Sequence, residues 1–141
     1  MKAQLEEAIE RYFASLVRKY GSVLVNEEAY AMGAIKDYSA DHVLVRVVND
    51  RGIVSLEIAP LSARGMRFDI ALYKEYLDPP RTGVLNLSLQ HQADFLDSHW
   101  EWMNDALSPF NARTILAEIE GAARRRRERL PGPGFSKNPT P

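Results

Sequence analysis

Residues 42–60 carry the clearest hydrophobic-polar alternation in the chain and predict a β-hairpin. Val43-Leu44-Val45-Arg46-Val47-Val48 rises to a turn at Asn49-Asp50-Arg51-Gly52, and Ile53-Val54-Ser55-Leu56-Glu57-Ile58 returns. Pairing Val48 with Ile53 sets Val47 opposite Val54, Val45 opposite Leu56 and Val43 opposite Ile58. Because successive side chains of a strand point to opposite faces, one face of this hairpin is wholly apolar. The other face carries Leu44, Arg46, Val48, Ile53, Ser55 and Glu57, with Arg46 diagonal to Glu57. A slip of one residue would turn the apolar set to the wrong side, so this register is predicted to be strongly specified.

Around this hairpin the pattern changes to a helical period. Leu5, Ile9, Tyr12, Phe13, Leu16, Val17 and Tyr20 recur at spacings of three and four and predict one amphipathic helix stopped by Gly21. Glu6, Glu7 and Glu10 lie early in it, Arg18 and Lys19 late, as the helix dipole favours. Residues 22–25 form a short strand and residues 34–38 a weaker one, since Gly33 and Lys36-Asp37 disfavour it. Phe68, Ala71, Leu72 and Tyr76 mark a short helix, broken at Asp78-Pro79-Pro80-Arg81. Leu89, Ala93, Leu96, Trp100, Met103 and Leu107 fall on one flank of a long helix capped by Ser88. Ser108 and Pro109 then open a last helix, buried through Ile115, Leu116, Ile119, Ala122 and Ala123. This order predicts a single α+β domain over residues 1–130: a helix, an antiparallel sheet of three to four strands, then three helices. Residues 131–141, rich in proline and glycine, read as a disordered tail.

The composition is that of an ordinary globular protein, 45% hydrophobic and 26% charged, and 141 residues suffice for one core. The net charge of −1 conceals an asymmetry. Residues 124–141 hold five arginines and one lysine against Glu128, a net +5, whereas the 123 residues before them carry −6. An acidic body attracts basic partners and repels bare nucleic acid. The absence of cysteine removes disulfides, thiolate metal sites and cysteine nucleophiles. With no uninterrupted apolar run at the N-terminus and none of the roughly 18 residues a membrane span needs, the expected location is the cytoplasm.

Candidate chemistry concentrates on the helix predicted over residues 88–107. At about 100° per residue, Asp94, Asp97, Glu101 and Asp105 share one sector, and Phe95 and Trp102 project beside it. Residues 82–112 contain no lysine or arginine. Aromatic anchors beside carboxylates are what a docking site for a basic protein requires, so these six residues are the candidate partner contacts. The competing reading is a solvated acidic face with both rings packed inward, and exposure of the rings decides between them. Arg124, Arg125, Arg126, Arg127 and Arg129 are the candidate phosphate or nucleic-acid contacts; a solvated helix end is the plainer account, and no aromatic residues interleave them.

Catalysis has less support. His91 and His99 lie about 12 Å apart in helical rise alone and cannot share a metal, and His42 reads as a turn residue. Nucleophile elbows, Walker loops and dinucleotide-binding glycine turns are absent, and no cofactor is implied. An enzyme or small-ligand binder would need a polar pocket between sheet and helices, converging on His42, His91 or His99.

A helix ending in Lys19-Tyr20-Gly21, the strand Val23-Leu24-Val25, the segment Tyr38-Ser39-Ala40 and the hairpin around Asn49-Asp50-Arg51-Gly52 together resemble immunity proteins of bacterial polymorphic toxin systems. The resemblance is one of pattern over residues 5–77 and carries no catalytic residue. It implies a cytoplasmic protein that binds a cognate toxin domain and blocks its active site. An acidic helix would suit a basic toxin such as a nuclease, because carboxylates imitate the phosphates such an enzyme binds.

Overall fold

The computed structural model describes residues 2–79 and 87–129. Two short helices, α1 (Lys2–Tyr12) and α2 (Ser15–Arg18), lead into four eight-residue strands: β1 (Val23–Tyr30), β2 (Gly33–Ala40), β3 (Val43–Asp50) and β4 (Ile53–Pro60). A 3-10 turn, Leu61–Ala63, precedes β5 (Phe68–Asp69), and then come α3 (Ile70–Leu77), α4 (Leu89–Ser98), α5 (Trp100–Ala106) and α6 (Ala112–Arg129). The five strands form an antiparallel meander in sequence order. The α+β class and element order follow the sequence pattern, with five strands where three to four are predicted. The proposed tail, residues 131–141, lies outside the described residues.

The central hairpin keeps its faces but not its pairing. Asp50 pairs with Ile53, Val47 with Leu56 and Val45 with Ile58, a shift of two residues from the predicted register. The cause is the turn: Arg51 (φ 55) and Gly52 (φ 90) alone reverse the chain, and the Asn49 side chain accepts the Gly52 N–H at 2.9 Å. Two left-handed residues match the twist of the flanking strands, so the hairpin closes tightly. An even shift preserves the alternation, and Val43, Val45, Val47, Leu56 and Ile58 are all buried. Arg46 now sits directly across from Glu57.

The buried face is the one toward α1, where Gln4 meets the side-chain amide of Asn49 and Lys36 lies 3.8 Å from Glu6. Helix α1 packs on β2 and β3, α3 and α4 on β4, and α6 on α3. The predicted first helix is interrupted at Phe13-Ala14. This break lets Phe13 and Leu16 stay in the core while Tyr20 lies flat on Trp100, ring centroids 4.1 Å apart; Val17 is left exposed. Likewise α6 starts at Ala112, not Ser108. Ser108 and Pro109 belong to a turn in which the Ser108 carbonyl accepts the Asn111 and Ala112 N–H groups.

Candidate partner-binding surface

Ser88 caps α4 by accepting the His91 N–H, as its position before the apolar stripe implies. The stripe itself holds: Ala93, Leu96, Met103 and Leu107 are buried, and Leu89 and Trp100 pack against the core. The helix does not run through. At His99 (φ −116°, ψ 17°) the backbone leaves helical geometry, and α4 and α5 are separate segments. The His99 ring stacks on Phe95 at 4.2 Å, and its Nδ1 lies 3.0 Å from the Phe95 carbonyl oxygen.

That break redistributes the predicted contact set. Phe95 is 6% exposed and belongs to the core, so it is corrected from partner anchor to packing residue. Helical periodicity on one axis does not show what lies across from a side chain between two stripes; here α3 packs against α4, with the Lys74 ammonium 5.9 Å from the Phe95 ring centroid. Asp97 is half-buried and accepts hydrogen bonds from the Tyr20 and Ser15 hydroxyls. Burial together with this neighbouring carboxylate pushes the Tyr20 hydroxyl well above the ordinary phenol range. Asp97 therefore ties the end of α2 to α4. Asp94 is exposed and accepts from the Gln90 side-chain amide at 2.9 Å. The sector so divides into Asp94 on α4 and a second group on α5.

On α5, Glu101 and Asp105 are exposed one turn apart, and Trp102 is half-buried against Tyr76, ring centroids 6.4 Å apart. The Tyr76 hydroxyl in turn donates to Glu118 at 2.8 Å, a bond that raises its pKa. Next to Trp102 a groove of about 390 Å³ runs between α5 and α6, lined by Trp102, Asp105, Phe110, Asn111 and Ile115 among others. Phe110 is 95% exposed. A fully exposed phenyl ring in a short inter-helix turn is what the sequence reading missed. The available signal was a large aromatic between Pro109 and Asn111, outside every apolar stripe. Asn111 holds the turn by donating its side-chain amide to the Asp105 carbonyl at 3.0 Å.

The other candidates disperse. Arg126 lies 3.3 Å from Glu75 between α6 and α3, with side-chain exposures of 14% and 19%. Arg124, Arg125 and Arg127 are exposed at successive angles around α6, and Arg125 folds over Gly121; the side chain of Arg129 lies outside the described residues. Arginines spread around a helix do not present one phosphate-tracking face. His42 is exposed, with its backbone N–H donated to the Asn104 side chain, and His91 borders an open cleft shared with Lys74, Asp94 and Ser98. The three histidines do not converge. Among the described residues, no group of three or more His, Asp or Glu is placed to hold a metal ion, and no helix is long and apolar enough to cross a membrane.

One polar assembly spans the sheet. Asn26, Asp37, Arg46, Glu57 and Asp69 occupy a single row across all five strands, on the face away from α1. Arg46 grips Asp37 through two bonds of 2.8 and 3.0 Å, Asn26 adds a third at 3.1 Å, and Arg67 lies 3.3 Å from Glu57. Burial drives the Asp37 carboxyl upward, but the bonds from Arg46 and Asn26 outweigh it and hold it below the usual carboxylate range. Its partners are satisfied, so the row stabilises the sheet and leaves no open ligand position.

Comparison of the chain with protein-family models, with curated proteins and with solved structures gives no match.

Proposed function

We propose that the protein is a non-catalytic protein-binding protein of the immunity type, which neutralises a cognate basic toxin domain through the α5–α6 groove. The observation that carries this reading is the 95%-exposed Phe110 ring beside half-buried Trp102 and the carboxylates of Asp105 and Glu101. An exposed ring strongly favours transfer into a partner's pocket, while half-buried Trp102 offers a rigid wall needing little ordering. The carboxylates steer a cationic surface and reject an acidic one. Residues 87–112 contribute no lysine or arginine to weaken that field; Arg113, at the start of α6, is the first cation encountered. Of the predicted contacts, Glu101, Trp102 and Asp105 remain in this proposal, and Phe110 joins them.

Co-expression with a toxin domain encoded by a neighbouring gene tests the reading, and a neighbourhood holding no such gene counts against it. The wild-type chain is expected to restore growth, and Phe110→Ala/Asp105→Lys to lose protection while remaining folded. Growth arrest that is equal with and without the wild-type chain overturns the immunity assignment. Protection undiminished by the double substitution overturns the choice of surface.

A further inference from the structure

The sheet has two edges, and the protein treats them differently. On the far side, β5 covers only Glu57 and Ile58 of β4. Side chains add to it: Gln92 of α4 accepts the Leu56 N–H at 3.0 Å, and Tyr73 of α3 donates its hydroxyl to the Ile58 carbonyl at 3.0 Å. Both side chains are buried, so this edge is covered over residues 56–58.

The β1 edge is open along eight residues. Tyr30 and Gly33 close a two-residue turn, and in an antiparallel ladder backbone groups alternate between facing the partner strand and facing away. Tyr30, Glu28 and Asn26 therefore turn toward β2, and Ala29 and Glu27 turn outward. Among the described residues, no side chain or backbone group takes up those outward N–H and C=O groups. Seven of the eight β1 residues are exposed, and Val23, Leu24, Val25 and Tyr30 account for four of the nine large apolar side chains exposed among the described residues. An unpaired strand with exposed aliphatic residues is a template for another strand.

Charge selects the occupant. Glu27 and Glu28 sit mid-strand; Glu27 lies 3.2 Å from Lys36, which is also near Glu6, while Glu28 accepts from the neutral Asn26 amide and feels the Arg46 charge without an ion pair to it. In the two-fold pairing that overlaps the whole of β1 with its own copy, Glu27 would stand opposite Asn26 and next to the other strand's Glu27. Like charges opposed across a pair are destabilising. We propose that β1 is a strand-addition site for an extended segment of a partner protein carrying lysine or arginine opposite Glu27 and Glu28 and aliphatic residues opposite Val23–Val25. This site is separate from the α5–α6 groove and does not depend on the immunity reading.

The test uses the full chain and two blocked ten-residue peptides of alternating threonine and valine, one with two central lysines and one with glutamates there. Fluorescence anisotropy and amide hydrogen exchange are the readouts. The lysine peptide is expected to bind at least tenfold tighter than the glutamate peptide and to slow exchange at Glu27 and Ala29 at least tenfold. Ala29→Pro removes one outward N–H without touching a β1–β2 bond, and should abolish both effects with the melting curve retained. Should that variant fail to fold, Glu28→Lys serves, and it is expected to reverse the peptide preference. Equal binding of both peptides, protection confined to other elements, or unchanged binding by Ala29→Pro overturns the proposal. So does a concentration-dependent dimer that Ala29→Pro dissolves, since it would assign the edge to a second copy.

Discussion

Two phenylalanines fifteen residues apart make opposite demands on an experiment. Phe95 is 6% exposed, stacked on His99 and enclosed with Leu96 and Ala93 in the core, whereas Phe110 is 95% exposed. Phe95→Ala removes a ring from a packed interior and leaves a cavity, which costs about 3–5 kcal/mol, a large share of the roughly 5–15 kcal/mol that holds a domain folded. Phe110→Ala removes a ring that touches mostly water, and its cost should stay within about 0.5 kcal/mol. Urea unfolding followed by the fluorescence of Trp100 and Trp102, which lie on the same segment, measures both, provided the slope of free energy against urea is unchanged. Binding to the cognate partner should invert the order: a central aromatic anchor is worth about 2 kcal/mol or more, roughly thirtyfold in affinity, so Phe110→Ala should weaken the complex at no expense in stability. A Phe110→Ala protein destabilised by more than about 1 kcal/mol would show the ring to be a packing residue and refute the anchor argument. A Phe95→Ala protein with wild-type stability would refute the placement of Phe95 in the core.

Two further substitutions probe the sheet. Asp37→Ala leaves the Arg46 guanidinium, 15% exposed, without its bidentate partner but still facing Glu57, and is expected to cost about 2–4 kcal/mol by urea unfolding at pH 7. Because the folded Asp37 carboxyl is held below its ordinary value, its contribution is present above about pH 4 and disappears as pH falls through the lowered value; Asp37→Asn should unfold with a shallower loss between pH 5 and pH 2 than wild type, and equal slopes would contradict the assignment. Gly33→Ala would set a Cβ 2.3 Å from the Asn49 carbonyl oxygen and 2.9 Å from the Tyr30 hydroxyl, so the Tyr30 ring must swing aside and the β2–β3 backbones must part, at a cost of roughly 1–3 kcal/mol read as a lowered melting temperature.

What the sequence disclosed depended on whether the signal was periodic and local. The faces of the central hairpin survived a two-residue error in pairing because parity, not register, decides which side a strand residue takes. The stripe from Leu89 to Leu107 held for a similar reason: the break at His99 displaces one residue and leaves the buried flank continuous. The predicted contact set did not hold whole, since assigning Phe95 or Asp97 to a surface requires knowing what packs across from it: α3 for Phe95, and Tyr20 and Ser15 for Asp97. Strand β1 was legible only to Val25, because Asn26-Glu27-Glu28 lies at an edge exposed on both faces and so carries no alternation. Gly33 and Asp37 counted against β2 for sound local reasons. Both are explained only by neighbours: the Asn49 carbonyl leaves no room for a side chain at 33, and Arg46, nine positions away in sequence, neutralises 37 across the ladder.

The same distinction separates the two surfaces argued for binding. An edge strand is usually shielded by shortness, by a covering element or by charge, and this sheet uses the first two on its β5 side, where Gln92 takes the Leu56 N–H beside the two paired residues and Tyr73 bonds the Ile58 carbonyl. On the β1 side it uses charge and a bulge between Leu24 and Asn26, while leaving Val23, Leu24 and Val25 in water. Charge protects against copies of the same strand and against acidic strands, but it attracts cationic ones. A shield that repels self and admits the opposite charge would act as a selection rule, and the proposal for β1 and the proposal for Phe110 with Asp105 and Glu101 share it. Two separate elements, a strand edge and a helix turn, thus expose apolar groups beside carboxylates, and both proposals rest on that one combination, so a partner that binds either surface should do so less tightly as salt is added.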